Sequence, residues 1–161
     1  MIEGSSLSPL IAPLQEELRQ GHHTIAVAES CTGGLLAAAL TDLPGSSEYF
    51  LGGVVTYSND AKVDVLGVPR DLIESLGAVS EPVARAMAEA VARRFGADVG
   101  VGVTGIAGPT AEGEKPVGLT FIAASYGGQT EAREYRWIGG RASNRVASVE
   151  AALQLAAEVL R

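Results

Sequence analysis

Apolar residues fall along the chain in two alternating rhythms. Leu10, Ile11, Leu14 and Leu18 recur at spacings of one, three and four, which predicts an amphipathic helix over residues 8–20, closed by Gly21. The short run Thr24-Ile25-Ala26-Val27 predicts a buried strand at about 24–28, and Leu35 to Leu40 a buried helix stopping near Asp42. Gly53-Val54-Val55-Thr56-Tyr57 reads as a second strand, followed by a helical turn over 62–66 and a short helix over 69–76 that Gly77 ends. Ser80, as N-cap, and Pro82 open a longer helix in which Val83, Met87, Val91 and Phe95 recur every four residues as core positions. A third strand spans 98–103. Residues 117–126 are apolar on both faces and predict a central strand; Gly127-Gly128 predicts a tight hairpin turn. Residues 130–137 return as a charged strand, as suits a sheet edge. A last helix over 141–160 carries the stripe Val146, Val149, Leu153, Ala156 and Leu160.

This order predicts one α/β domain over 1–161: a three-layer α/β/α arrangement whose mixed sheet combines parallel strands with a C-terminal antiparallel hairpin. The length of 161 residues suits one domain, and 47% apolar with only 5% aromatic residues predicts an aliphatic core. No run is long enough to cross a membrane. Residues 1–6 lack the basic start and apolar segment of a signal peptide. The single Cys31 excludes an internal disulfide, so a reducing cytoplasm is expected. A net charge of −7 and a pI near 4.8 argue against nucleic acid as main partner, but leave room for a small phosphorylated ligand. His22 and His23 are adjacent and would point to opposite faces, a poor chelating pair, so a structural zinc site is not expected; no cofactor is expected either.

Candidate chemistry gathers after the predicted strands. Ser30-Cys31-Thr32-Gly33-Gly34 sits at a strand-to-helix turn, Tyr57 to Lys62 follows the second strand, and Thr104-Gly105-Ile106-Ala107-Gly108-Pro109 the third. Parallel strands would bring these loops to one sheet edge, where open α/β sheets bind ligands. With no histidine there to serve as base, serine and lysine remain. A desolvated Lys62 loses its proton more easily and can take that of Ser30. Tyr57 could relay the proton or hold the lysine, Thr104 could place a carbonyl or water, and amides at the Gly33 helix start could receive an oxyanion. Cys31 is a rival nucleophile without an evident base. Plain roles stand beside these: helix capping for the serine turn, a solvated lysine, a half-buried tyrosine, and simple turns at Thr104-Gly105 and at Ser46-Ser47, which otherwise reads as a donor-rich ligand loop. Residues 110–116 read as a lid or a solvated loop. Arg141 and Arg145 lie four apart at a helix start, either as a phosphate clamp or in ion pairs with Glu131 or Glu134.

Taken together, AESCTGGLLAAALTDLPGSS (28–47), FLGGVVTYSNDAKVDVLGV (50–68), GAVSE (77–81), VTGIAGP (103–109), KPVG (115–118) and GGRASNRVASVEAAL (139–153) resemble the C-terminal domain of competence-damage-inducible protein CinA, whose stand-alone members resemble PncC-type nicotinamide-nucleotide amidohydrolases. The resemblance implies a mixed-sheet α/β sandwich, no metal requirement, and hydrolysis of nicotinamide mononucleotide to nicotinate mononucleotide and ammonia. It implies Ser30 as nucleophile, with Lys62, Tyr57 and Thr104 in the catalytic site. Cys31, Thr32, Gly33, Gly34, Ser46, Ser47, Gly105, Arg141 and Arg145 are the expected substrate-binding residues. Gly140, where the family pattern has Asp, and a less glycine-rich loop at 110–114 are departures. The alternatives are a non-catalytic nucleotide-sensing or partner-binding domain, or a Ser-Lys amidase for another small amide. A homo-oligomer is compatible with either.

Overall fold

The strand β1 (Ile25–Glu29) is buried along its whole length, which in a parallel sheet requires cover on both faces. In the computed structural model, which describes residues 7–161, both faces are covered. The leader-free reading of residues 1–6 lies outside the described residues. β1 pairs in parallel with β2 (Phe50–Val55) and β3 (Val99–Gly105); Glu29 stands opposite both Val55 and Val103, so the three strands end nearly level. β4 (Leu119–Tyr126) and β5 (Gln129–Arg136) continue the sheet as an antiparallel hairpin, giving the order β2-β1-β3-β4-β5. The mixed sheet predicted from the element order is therefore present.

One face carries α1 (Ser8–Gln20), α2 (Leu35–Leu40) and α6 (Arg141–Val159), whose apolar stripes close over Val27, Val101 and Ile122. The other carries α3 (Asn59–Leu66), α4 (Arg70–Leu76) and α5 (Glu81–Phe95), packed on Ala26 and Ala28 through Leu66, Ile73 and Met87. β3 alternates valines, which fill the first face, with Gly100 and Gly102, which admit the α5 backbone. A Cβ at Gly102 would stand 2.5 Å from the Ala84 carbonyl oxygen.

Three local expectations need correction. The helix predicted at 62–66 begins earlier, at Asn59, because Ser58 Oγ accepts from the Ala61 amide and caps it. Lys62 therefore sits one turn into a formed helix. Ser80 occupies the N-cap position of α5 without capping it; its hydroxyl donates to the Gly77 carbonyl instead. β2 begins at Phe50 and stops at Val55, two residues before Tyr57, because the chain turns toward α3 once the Thr56 amide has donated to the Glu29 carbonyl.

Candidate active site

Ser30 follows β1 directly, and Lys62 projects from the first turns of α3. Both are buried, and Lys62 Nζ lies 2.9 Å from Ser30 Oγ. Nζ also lies 2.7 Å from the Thr56 carbonyl and 3.4 Å from that of Tyr57. The sheet sets this spacing. The Ser30 amide donates to the Val103 carbonyl and the Thr56 amide to that of Glu29, so hydroxyl and amine are fastened to adjacent strands. Burial drives the Lys62 pKa down, opposed by Cys31 only where its thiol ionises and by the Glu112 carboxylate. A neutral amine has two N–H donors and one lone pair. As an ammonium Lys62 donates to Ser30 Oγ and to both carbonyls; once neutral, with its two donors kept on the Thr56 and Tyr57 carbonyls, it would turn its lone pair to Ser30 and could accept its proton. Burial pushes the neighbouring Cys31 thiol up to about 11, so it stays protonated at neutral pH and is a poor nucleophile beside Ser30.

The start of α2 is already occupied. Glu29 is buried, and its carboxylate accepts from the amides of Gly34, Leu36 and Ala37. The expected oxyanion donors at this helix start are thus corrected: an internal carboxylate holds them. The amides of Cys31 and Thr32 donate to no described backbone carbonyl, that of Cys31 being turned to its own thiol, and they are the ones left near Ser30. Thr32, Gly33 and Gly34 shape the turn, the glycines at φ of 61° and 100°, and do not line the cavity.

The cavity, of about 140 Å³, is lined by Ser30, Cys31, Tyr57, Lys62, Thr104 and Gly105, with Glu112 and Arg141. The Thr104 hydroxyl donates to the Ala78 carbonyl (2.9 Å), and Lys115 Nζ to those of Leu76 and Val79, so the two pin residues 76–79 as a wall. Tyr57 is 59% exposed; its hydroxyl accepts from Arg141, and only its carbonyl accepts from Lys62. The arginine pair is split. Arg141 donates to the Gly108 carbonyl and faces the cavity, whereas Arg145 donates to the Thr32 carbonyl and packs over Gly33, away from it. Glu131 and Glu134 pair with Arg133 and Arg136 instead. Ser46 and Ser47 do not reach the site. They form a short 3₁₀ turn ahead of β2, at the amino ends of parallel strands, whereas Ser30 lies beyond a carboxyl end. A larger cleft of about 630 Å³ beside the β4–β5 turn carries none of this chemistry.

Residues 7–160 match the family described as CinA C-terminal domain. The chain belongs to that family. It is 51% identical over 155 residues to a CinA-like protein of Mycobacterium marinum, covering 95% of this chain and 35% of the relative. It is 46% identical over 156 residues to a CinA-like protein of Desulfovibrio desulfuricans, covering 94% and 37%. The chain thus spans about a third of the curated relatives it matches. Among solved structures, the competence/damage inducible protein CihA of Agrobacterium tumefaciens superposes with a TM-score of 0.89 at 41% identity, covering 91% of each chain. A competence or damage-inducible protein of Enterobacter asburiae reaches 0.94 at 28% identity, covering 98% of this chain and all of the other.

Several residues of this CinA C-terminal domain that shape the site escape sequence reading. Asn144 donates from its amide to the Ala107 carbonyl and accepts from the Gly139 amide, tying α6 to the third site loop. Glu29 looks like one more strand residue, and only its place before the helix start hints at a cap. Glu112 sits in the loop read as a lid or a solvated segment, where nothing singles it out from its polar neighbours. Among the described residues, no helix is long and apolar enough to cross a membrane.

Proposed function

We propose that this chain is an amidohydrolase that deamidates nicotinamide mononucleotide by Ser-Lys chemistry in the cytoplasm. The observation that carries the reading is the buried 2.9 Å contact between Lys62 Nζ and Ser30 Oγ, with the amine oriented by two backbone carbonyls. Neutral Lys62 takes the Ser30 proton as Oγ attacks the amide carbon. The negative oxygen forms beside the Cys31 and Thr32 amides. Lys62 returns the proton to the leaving nitrogen, ammonia departs, and an ester on Ser30 remains. Water, deprotonated by Lys62, then attacks the ester; the carboxylate leaves and Ser30 regains its proton. Thr104 holds the cavity wall, and Tyr57 supports Lys62 through its carbonyl and Arg141 through its hydroxyl. The cavity takes an aromatic amide head, leaving ribose and phosphate at the mouth near Arg141. Arg145 acts through the Thr32 carbonyl by fixing the nucleophile turn.

The test is release of ammonia and nicotinate mononucleotide from nicotinamide mononucleotide in the presence of chelator. Turnover is expected, with a loss of more than about a thousandfold in Ser30→Ala. Turnover unchanged in Ser30→Ala would remove serine from the chemistry. Binding without turnover would favour a sensing domain, and turnover of other amides alone would leave the chemistry standing with a different substrate.

A further inference from the structure

Among the described residues, Glu112 is the only carboxylate lining the cavity that holds Ser30. Its side chain makes no hydrogen bond or ion pair with a described residue. Its position is nonetheless held: residues 112 and 115 pair through their backbones, and the Lys115 ammonium is tied to the carbonyls of Leu76 and Val79, across the wall. Lys115 therefore anchors the loop without neutralising its neighbour. The other charged groups facing the cavity are Lys62, which must be neutral to act as base, and Arg141, which is fixed on Gly108 and Tyr57. Cys31 is a neutral thiol. In its reactive state the cavity thus carries one fixed positive charge and one uncompensated negative charge.

We propose that Glu112 is a specificity-determining residue that reads the positive charge of an N-substituted pyridinium ring. The inference rests on the amidohydrolase reading above. A pyridine ring carrying a ribosyl group on nitrogen is a cation; the free base and the 1,4-dihydro form are neutral. Within about 140 Å³, a ring whose amide carbon meets Ser30 cannot sit far from any wall. The carboxylate attracts the ring cation there, while Arg141 attracts the phosphate. The two ends of the ligand are then sorted by sign, which orients the amide toward Ser30. The same charge layout gives a neutral ring no such attraction and repels an anionic one.

The experiment uses Ser30→Ala protein, so that nothing is turned over, and measures binding calorimetrically. The ligands are nicotinamide mononucleotide and its 1,4-dihydro form, which share amide, ribose and phosphate and differ in ring charge. Adding Glu112→Gln is expected to weaken the pyridinium form about five- to fiftyfold and to leave the dihydro form unchanged. High salt should shrink that difference. Equal weakening of both forms would assign Glu112 to loop structure and overturn the proposal, as would no change in either. If neither form binds, in the parent protein as well as in Ser30→Ala, the nucleotide reading itself falls, a result distinct from an unchanged ratio.

Discussion

Lys62 is held in a state that ordinary lysines avoid. Its burial disfavours the ammonium form, so activity should rise with pH along a limb lying below the usual lysine range. A pH profile of kcat/KM reads that limb directly. Glu112 opposes the effect, because a nearby carboxylate favours the ammonium. Glu112→Gln should therefore move the limb toward lower pH, and a limb that moves up or stays put would mean another group is titrating. The sign for stability follows from linkage. Between the lowered folded value and the ordinary one, the unfolded chain binds more protons at Lys62, so this residue's contribution to stability rises with pH across that interval. Below it, the full cost of burying the charge is present. The residue types at this centre were legible in the sequence, because Ser30, Lys62 and Thr104 each follow a strand signal. Which atoms of Tyr57 meet Lys62 was not, because a strand end two residues earlier turns the ring outward and leaves only the carbonyl inside.

The strand-to-helix unit β1–α2 turns on Glu29. Its carboxylate fills a helix start that would otherwise attract any anion, including the phosphate of a ligand. Glu29→Ala leaves three amides without that partner and is expected to cost about 2–4 kcal/mol by denaturant midpoint, with a larger fractional loss of turnover because Ser30 is the next residue. Glu29→Gln keeps an accepting oxygen but turns an NH₂ group toward the amides, and should fall between. Against α5, β3 has no room to give. Gly102→Ala would press a methyl group onto the Ala84 carbonyl and is expected to cost about 1–3 kcal/mol or more. Near-unchanged stability would mean that α5 slides freely on the sheet. Helices and strands were legible here because Val83, Met87 and Val91, or Val99, Val101 and Val103, keep their periods. The serine pair at 46–47 was misplaced because a polar Gly-Ser stretch looks the same before a strand as after one; only parallel pairing of β1 and β2 decides the edge.

Across the molecule, an aliphatic core lies on each face of one sheet, and α6 joins the outermost hairpin to the sheet edge that holds Ser30. Trp137, the only tryptophan, stacks on Tyr135 at 4.9 Å and donates its indole N–H to Ser148 on α6. Its fluorescence therefore reports the hairpin–helix junction. If both cores melt together, fluorescence and far-UV circular dichroism should give one coincident denaturant transition. An earlier fluorescence change would mark β5 and α6 as a separately opening unit. The sheet also separates the molecule's ends. The Gly127-Gly128 turn closes the hairpin opposite the amino end of β3, at the far rim from Ser30, with both glycines at positive φ and exposed. A dye, an affinity tag or a surface tether inserted there would hang from the back of the protein, so the chain can be immobilised or labelled with its cavity mouth facing open solution.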